Sequence, residues 1–200
     1  MSDTGHPDTG RPDISRLLDG YAARDPAEAA DLARCRALAA AQADPWQRSI
    51  PLHFTASALI VHPASQRVLL RWHPRQQAWI QVGGHGDAGE RDPVAIARRE
   101  GQEETGLADL VPWPDPGLLH LTIVSVPALG AEPAHEHADL RFVLATADPG
   151  AARAEHPETP VRWLTLAGAR ALTSEPGVRE SLDRLERRLG QASGTILKNR

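Results

Sequence analysis

The sequence predicts an α+β domain with a mixed sheet, preceded by an N-terminal helical extension. After residue 50, short apolar runs bounded by turn residues follow one another, and this pattern is typical of strands. One strongly helical segment interrupts them and another ends the chain, so the order differs from that of regular βαβ repeats. A length of 200 residues with 41% hydrophobic residues is enough for one domain of ordinary size with an extension.

The N-terminal part carries two helical patterns. Residues 1–11, rich in Gly, Pro and Asp, are predicted to form a disordered lead. The first helical pattern is ISRLLDGYAA, and the second is PAEAADLARCRALAAAQA, with Asp25 as N-cap and Pro26 at the first helical position. Cys35 lies in the second pattern among small and apolar residues, and we expect it to be a buried helix residue.

The predicted strands carry apolar runs separated by Gly, Pro and polar residues. They are FTASALIV, RVLLRW, WIQV, LLHLTIVSV, DLRFVLAT and VRWLTL, and VRESLDRLERRLG is predicted to be the final helix.

Composition excludes several classes of function. The formal charge of -4 and a pI near 6.1 give no basic footprint, so general nucleic-acid binding is not expected. No apolar run approaches the length of a membrane span. A single cysteine cannot form an internal disulfide, and the polar start lacks the features of a secretory signal. The sequence therefore predicts a cytoplasmic protein that does not bind membranes.

The helix that interrupts the strands has clear boundaries and a crowded acidic face. Asp92 is a predicted N-cap with Pro93 behind it, and Gly106 is a predicted C-terminal stop. Glu100, Glu103 and Glu104 have the spacing i, i+3 and i+4, which places like charges side by side. Gly101 is costly inside a helix, so we expect the backbone to approach the sheet closely there.

Three carboxylates on one rigid helix suit a hard divalent cation. Mg²⁺ and Mn²⁺ prefer carboxylate, carbonyl and water oxygens, and Mg²⁺ commonly bridges to substrate phosphates. A bare ExxEE is more often a solvated acidic helix face. Here, however, the glutamates directly follow Arg99 and lie downstream of a Gly-Gly turn and of Glu90, so several independent features coincide.

These features together resemble the Nudix box, the signature of the Nudix hydrolase family. Eight positions match across the 24 residues from Gly84 to Leu107: Gly84, Glu90, Arg99, Glu100, Glu103, Glu104, Gly106 and Leu107. Eight residues separate Glu90 from Arg99, where the pattern has seven, and Gly101 stands at an apolar position. The extra residue falls in the turn before the helix, so the sequence does not decide whether Glu90 contacts Arg99.

The resemblance implies a Nudix α/β/α sandwich and roles for the box residues. Glu100, Glu103 and Glu104 would bind Mg²⁺ or Mn²⁺, with a backbone carbonyl from the Gly84 region, and Arg99 would orient them. Glu158, in a loop before a strand, ranks first as general base, while Glu136, Glu100 and Glu103 are alternatives. We expect a Nudix domain over residues 46–172, after a lead and helical extension at 1–45 and before a C-terminal helix and tail at 173–200.

Histidines form a second group of candidates. His135, His137 and Asp139 point to one side of an extended chain. His53 and the Gly83-Gly84-His85 turn are similar in placement to metal-binding histidines of isopentenyl diphosphate isomerase, a related branch of the fold. Gly83 takes the position of the isomerase nucleophile, so that activity is not expected. A histidine-bearing metal or substrate site is the alternative.

The predicted function is metal-dependent hydrolysis of a diphosphate linkage in a nucleoside diphosphate derivative or a related small molecule. Two alternatives are a Nudix-fold sensor without turnover and an interaction protein whose N-terminal helices form a homodimer. The residues expected to bind substrate are charged or imidazole side chains on the strands and the glycine turn: Arg71, His85, Glu136, His137 and Asp139.

Overall fold

The computed structural model describes residues 14–198, with side chains described up to residue 190. The predicted lead at 1–11 lies outside the described residues. Within the described part of the chain, no helix is long and apolar enough to cross a membrane.

The described residues form five α-helices, and two of these helices have ends at predicted capping residues. Asp25 accepts a hydrogen bond from the backbone N–H of Glu28, and Asp92 accepts from Val94 and Ala95. Gly106 ends its helix in the left-handed region at φ +68°. The helices are α1 (Ile14–Asp19), α2 (Pro26–Ala41), α3 (Pro93–Thr105), α4 (Leu166–Leu172) and α5 (Pro176–Lys198).

All the strands belong to one mixed sheet. They are β1 (Leu52–His62), β2 (Arg67–His73), β3 (Ala78–Ile80), β4 (Val82–Gly84), β5 (Val111–Pro112), β6 (His120–Val126), β7 (His135–Ala145) and β8 (Val161–Thr165). The central pair, β1 and β7, is parallel, and His53 lies beside His137 in its register. The other pairings are antiparallel: β2 and β4 with β1, β5 and β6 with β7, and β3 and β8 with β2.

One strand prediction was wrong. WIQV is not a single strand, because the chain leaves one partner and joins another at Gln81. Before it β3 pairs with β2, and after it β4 pairs with β1. The segment HEHAD, predicted to precede a strand, is the first half of β7.

Alternation along the strands sorts side chains between two helical layers. Ala56, Ala58 and Ile60 of β1 belong to the core shared with α1, α2 and α3. Leu59 and Val61 belong to the core shared with α4 and α5. The sheet thus lies between two helical layers, which confirms the predicted α/β/α sandwich.

The N-terminal extension packs onto the same core. Four of its residues are buried in that core, Leu18, Leu32, Cys35 and Leu38, and partly buried residues of α1 and α2 pack around them. Asp31 of α2 accepts a hydrogen bond of 2.9 Å from the backbone N–H of Ile123 on β6. The extension therefore covers one face of the sheet and satisfies a backbone donor of its edge strand.

A buried ion pair connects the two helical layers beside the edge strand β6. Arg184 of α5 lies 2.6 Å from Glu28 of α2, and their side chains are 1% and 3% exposed. Tyr21 and the backbone N–H of Arg24 also donate to the Glu28 carboxylate. Burial opposes ionisation of Glu28, but hydrogen bonds from Arg184, Tyr21 and Arg24 outweigh it and lower its pKa to about 2.

We expect Glu28→Gln to lower the free energy of unfolding by about 3–5 kcal/mol, because it leaves the Arg184 guanidinium buried without its counter-charge. Urea denaturation at neutral pH measures the change. Glu180→Gln is the matched control: Glu180 also binds Arg184, but its side chain is 40% exposed, so its loss should cost about 1 kcal/mol or less.

The pH dependence of folding stability gives a second test of the ion pair between Glu28 and Arg184. The folded-state pKa of Glu28 is about 2, below its ordinary value of 4.5, so its stabilisation is present above pH 4.5 and is lost as pH falls towards 2. The difference in stability between the unmutated protein and Glu28→Gln should therefore shrink over this range. A difference that stays constant down to the lowest pH would contradict the role of the charge.

Candidate functional site

Arg99 holds the acidic residues of the box together. It lies 3.0 Å from Glu100 and 2.8 Å from Glu103, and it donates to the His85 carbonyl at 2.8 Å. Its contact with Glu90, left open by the extra residue, is present at 3.1 Å. One guanidinium thus contacts three carboxylates and reduces the repulsion among the like charges of α3. The extra residue is accommodated in the turn before the helix.

Glu104 is the most buried carboxylate of the box. Its two oxygens lie 3.1 Å from Arg71 Nη1 and 3.1 Å from the backbone nitrogen of Gly83. Burial raises the pKa of Glu104 to about 7, although Arg71 and the Gly83 N–H act in the opposite direction. Arg71, predicted to bind substrate, pairs with Glu104, because its place on β2 turns it towards α3.

Gly83 and Gly84 allow the helix and the sheet to meet without side chains between them. Gly83 has φ +145°, and a Cβ there would lie 2.5 Å from the Ser57 Cα. A Cβ at Gly84 would lie 2.6 Å from a carboxylate oxygen of Glu100. Glycine at 84 therefore leaves a space at the main chain that the Glu100 carboxylate occupies.

The box residues fit a hard divalent cation by their chemistry. Burial raises the pKa of Glu100 as well as that of Glu104, and a nearby cation would favour the charged forms. Glu103 is 53% exposed and is turned towards Arg99. In the part of the chain that the structure describes, one group of metal-binding side chains has ligand atoms all within 4.8 Å, and it is His53, His85 and His137, not the three glutamates.

A cleft of about 450 Å³ opens on the other side of the glycine turn, between the sheet and the start of α5. Gly84, His85, His137 and Asp139 line it. Asp139 lies at its floor, 5% exposed. It accepts from Ser57 at 2.6 Å, Thr55 at 3.1 Å and Arg141 at 2.7 Å. Its carboxylate is thus already bound by protein donors, so Asp139 shapes the cleft and is not a free substrate ligand.

Two predicted residues lie away from the cleft. Glu136 points to the other face of β7 because consecutive strand residues alternate, and it pairs with Arg34 of α2 with an Nη1–Oε1 distance of 3.2 Å. Glu136, predicted to bind substrate, is therefore not among the residues that line this cleft. Glu158 is exposed in the loop before β8. Glu155 of the same loop is close enough to contribute to the raised pKa of Glu104.

Several cleft residues were missed by the sequence reasoning. They are Thr55, Ser57, Gln81 and Arg141. The sequence did carry a signal for three of them, because every second residue of a strand faces the same side of the sheet. Thr55 and Ser57 lie at alternate positions after His53, and Arg141 does so after His137 and Asp139. Gln81 carried no such signal, since its place depends on the break between β3 and β4.

The comparison with protein families agrees with this geometry. A family model described as the NUDIX domain matches residues 51–185. The chain belongs to the Nudix hydrolase family. This assignment confirms the predicted class of enzyme, a Nudix-type pyrophosphohydrolase acting on acid anhydrides.

Solved structures show the same Nudix fold. An Ap4A hydrolase from C. elegans, in a binary complex, is 19% identical with a TM-score of 0.55, and the match covers 69% of this chain and 98% of that chain. The Nudix hydrolase RenU from M. smegmatis is 22% identical with a TM-score of 0.50, and the match covers 72% and 87% of the two chains. No protein with a curated function matches the sequence.

The two glycines of the Nudix turn should respond differently to alanine. We expect Gly83→Ala to lower the free energy of unfolding by about 3 kcal/mol, because it adds a clash with the backbone of β1 to an unfavourable φ. Gly84→Ala meets only the end of the Glu100 side chain, which can rotate, so its cost should stay below about 1 kcal/mol. Chemical denaturation of both variants measures the two losses in free energy of unfolding. Equal losses would contradict the different surroundings described for Gly83 and Gly84.

Proposed function

We propose that this protein is a metal-dependent hydrolase that cleaves a diphosphate linkage in a nucleoside diphosphate derivative or a related small molecule. One observation carries the proposal: Glu100 and Glu104 are held in partly dehydrated positions at a glycine turn that also lines a cleft. A solvated acidic helix face would have neither the burial nor the adjoining cleft.

The proposed metal ligands are Glu100, Glu103 and Glu104, with a backbone carbonyl from the Gly84 region. Mg²⁺ or Mn²⁺ bound there would polarise a phosphate group and lower the pKa of a bound water. The role of Arg99 is to position the ligands, since it contacts Glu100, Glu103 and the carbonyl of His85 together.

In the proposed reaction a water oxygen bonds to phosphorus as the bridging P–O bond breaks, and a carboxylate takes the water proton. Glu158 was the first candidate for this base from the sequence. Glu155, on the same loop, is favoured by its electrostatic effect on Glu104. Glu100 and Glu103 of the box remain alternatives, whereas the Glu136 carboxylate is paired with Arg34 of α2.

We propose that the substrate occupies the cleft beside the glycine turn, where His85 and His137 contact it. A screen over nucleotide sugars, dinucleoside polyphosphates, ADP-ribose and oxidised nucleoside triphosphates, with and without Mg²⁺, would identify its class. A cytoplasmic location and a homodimer stay predictions, as does the division into an extension, a Nudix domain and a C-terminal tail.

We expect Glu104→Gln and Glu103→Gln each to lower Mg²⁺-dependent phosphate or nucleotide release by at least about 100-fold, because each removes a proposed metal ligand. Initial rates on a substrate found in the screen measure the effect. Glu136→Gln is the matched control and should keep full activity, since its side chain pairs with Arg34 away from the cleft. Full activity in both box variants, with unchanged circular dichroism, would refute the proposed mechanism.

The general base can be identified by comparing two glutamates of one loop. We expect Glu155→Gln to lower kcat by about 100-fold or more with KM little changed, because a base acts on the proton and not on binding. Glu158→Gln should change kcat by only a few fold. The reverse result would assign the base to Glu158, and normal rates in both variants would exclude this loop as its source.

A further inference from the structure

Four imidazoles meet at the end of β1 and β7, next to the Nudix glycine turn. His53 comes from β1, His85 from the residue after β4, and His135 and His137 from β7; we refer to them as the histidine cluster. The Nε2 atoms of His53 and His85 are 3.1 Å apart, as are those of His135 and His137. The ring centroids of His85 and His137 are separated by 4.7 Å, which connects the two pairs.

Backbone carbonyls fix the tautomers of two of these rings. His53 Nδ1 lies 2.9 Å from the carbonyl oxygen of Ile50, and His135 Nδ1 lies 2.9 Å from that of Pro133. Because a carbonyl only accepts, each Nδ1 must carry the proton, which leaves the Nε2 lone pair facing the cluster. A histidine that binds a metal characteristically donates its other ring N–H to a carbonyl in this way.

His53, His85 and His137 are also partly or fully withdrawn from solvent. Burial lowers the pKa of His85 to about 3 and that of His137 to about 4, and it lowers the pKa of His53 as well. Around the cluster, Arg48 disfavours protonation, while Asp139 and Glu132 favour it. Burial thus favours the uncharged form of these imidazoles, which is the form that binds metals.

The spacing of the ring nitrogens is that of a coordination shell. With Zn–N bonds of about 2.0–2.1 Å, the ligand atoms of a tetrahedral site lie about 3.3 Å apart. The 3.1 Å between the Nε2 atoms of His53 and His85 is close to this. One ring nitrogen from each of His53, His85 and His137 lies within 4.8 Å of the other two. Imidazole suits Zn²⁺ and other late transition metals, whereas Mg²⁺ prefers oxygen ligands.

From this geometry we propose that His53, His85 and His137 form a binding site for a divalent transition metal, of which Zn²⁺ fits best, distinct from the glutamate site of the Nudix box. Three protein ligands leave one coordination position open. His85 and His137 both line the cleft, so a metal in this site borders the space proposed for substrate. The two sites are adjacent in sequence at Gly84 and His85 but differ in ligand chemistry.

Metal titration of the full-length protein, stripped with a chelator, tests the proposal without any activity assay. Isothermal titration with ZnCl₂ should give one equivalent bound, and excess MgCl₂ should not displace it. Co²⁺ used as a probe should give the intense visible bands of tetrahedral coordination. His85→Gln and His137→Gln should each weaken Zn²⁺ binding by at least about 100-fold.

Two variants serve as controls. His156→Gln removes an exposed histidine far along the chain, and Glu103→Gln removes a proposed ligand of the other site; both should bind Zn²⁺ as the unmutated protein does. His85 is only partly buried, in a turn, so its variant is the one expected to keep its fold, as circular dichroism would check.

Three results would overturn the proposal. They are the absence of Zn²⁺ and Co²⁺ binding to the unmutated protein, Zn²⁺ binding that persists in both histidine variants, and an octahedral Co²⁺ spectrum that disappears in Glu103→Gln. The Co²⁺ spectrum of the unmutated protein reports the coordination geometry whether or not any variant folds. Because none of these measurements depends on hydrolysis, failure of the proposed function would leave the result unaffected.

Discussion

The site depends on the close approach of α3 to the main chain at Gly83 and Gly84. Gly83 lies against the β1 backbone at Ser57, and Gly84 lies against the carboxylate of Glu100. The Gly83 N–H binds Glu104, so the same two residues position two glutamates. A side chain at position 83 would clash with the β1 backbone, and one at position 84 would displace the Glu100 carboxylate. The absence of two Cβ atoms thus sets the geometry on which the proposed chemistry rests.

Two arginines form ion pairs with the carboxylates around this turn. Arg99 pairs with the more exposed glutamates and with Glu90, whereas Arg71 pairs with the buried Glu104. Repulsion among like charges on a helix amounts to a few tenths of a kcal/mol per pair, so these contacts are enough to offset it. Dehydration of Glu104 is the larger unfavourable effect, and a bound cation would offset it.

The parallel pairing of β1 and β7 places the two proposed sets of metal ligands on opposite sides of the sheet. Side chains of one parity, including His53, Thr55, His137 and Asp139, face α5 and the cleft. Those of the other parity pack against α3 and the N-terminal helices, which hold the glutamates and the buried Glu28. The extension is therefore part of the folded unit, and its ion pair with α5 connects the two helical layers beside β6.

The sequence by itself determined the elements and their chemistry. Capping residues bounded α3, the strands followed from local composition, and the spacing of Glu100, Glu103 and Glu104 identified the family before any contact was known. It also indicated that His135, His137 and Asp139 share a side, because alternation on a strand is a local property. Local signals sufficed wherever neighbours in sequence decide the conformation.

Only the tertiary structure decided which residues meet across the fold. It showed that Arg99 still reaches Glu90, that Arg71 belongs to Glu104, and that Glu136 faces α2. It divided WIQV at Gln81, since the two halves have different strand partners. It also brought His53 beside His85 and His137, a proximity that depends on the register of β1 with β7 and β4. Pairings between distant segments depend on which strands become neighbours, and no single segment carries that information.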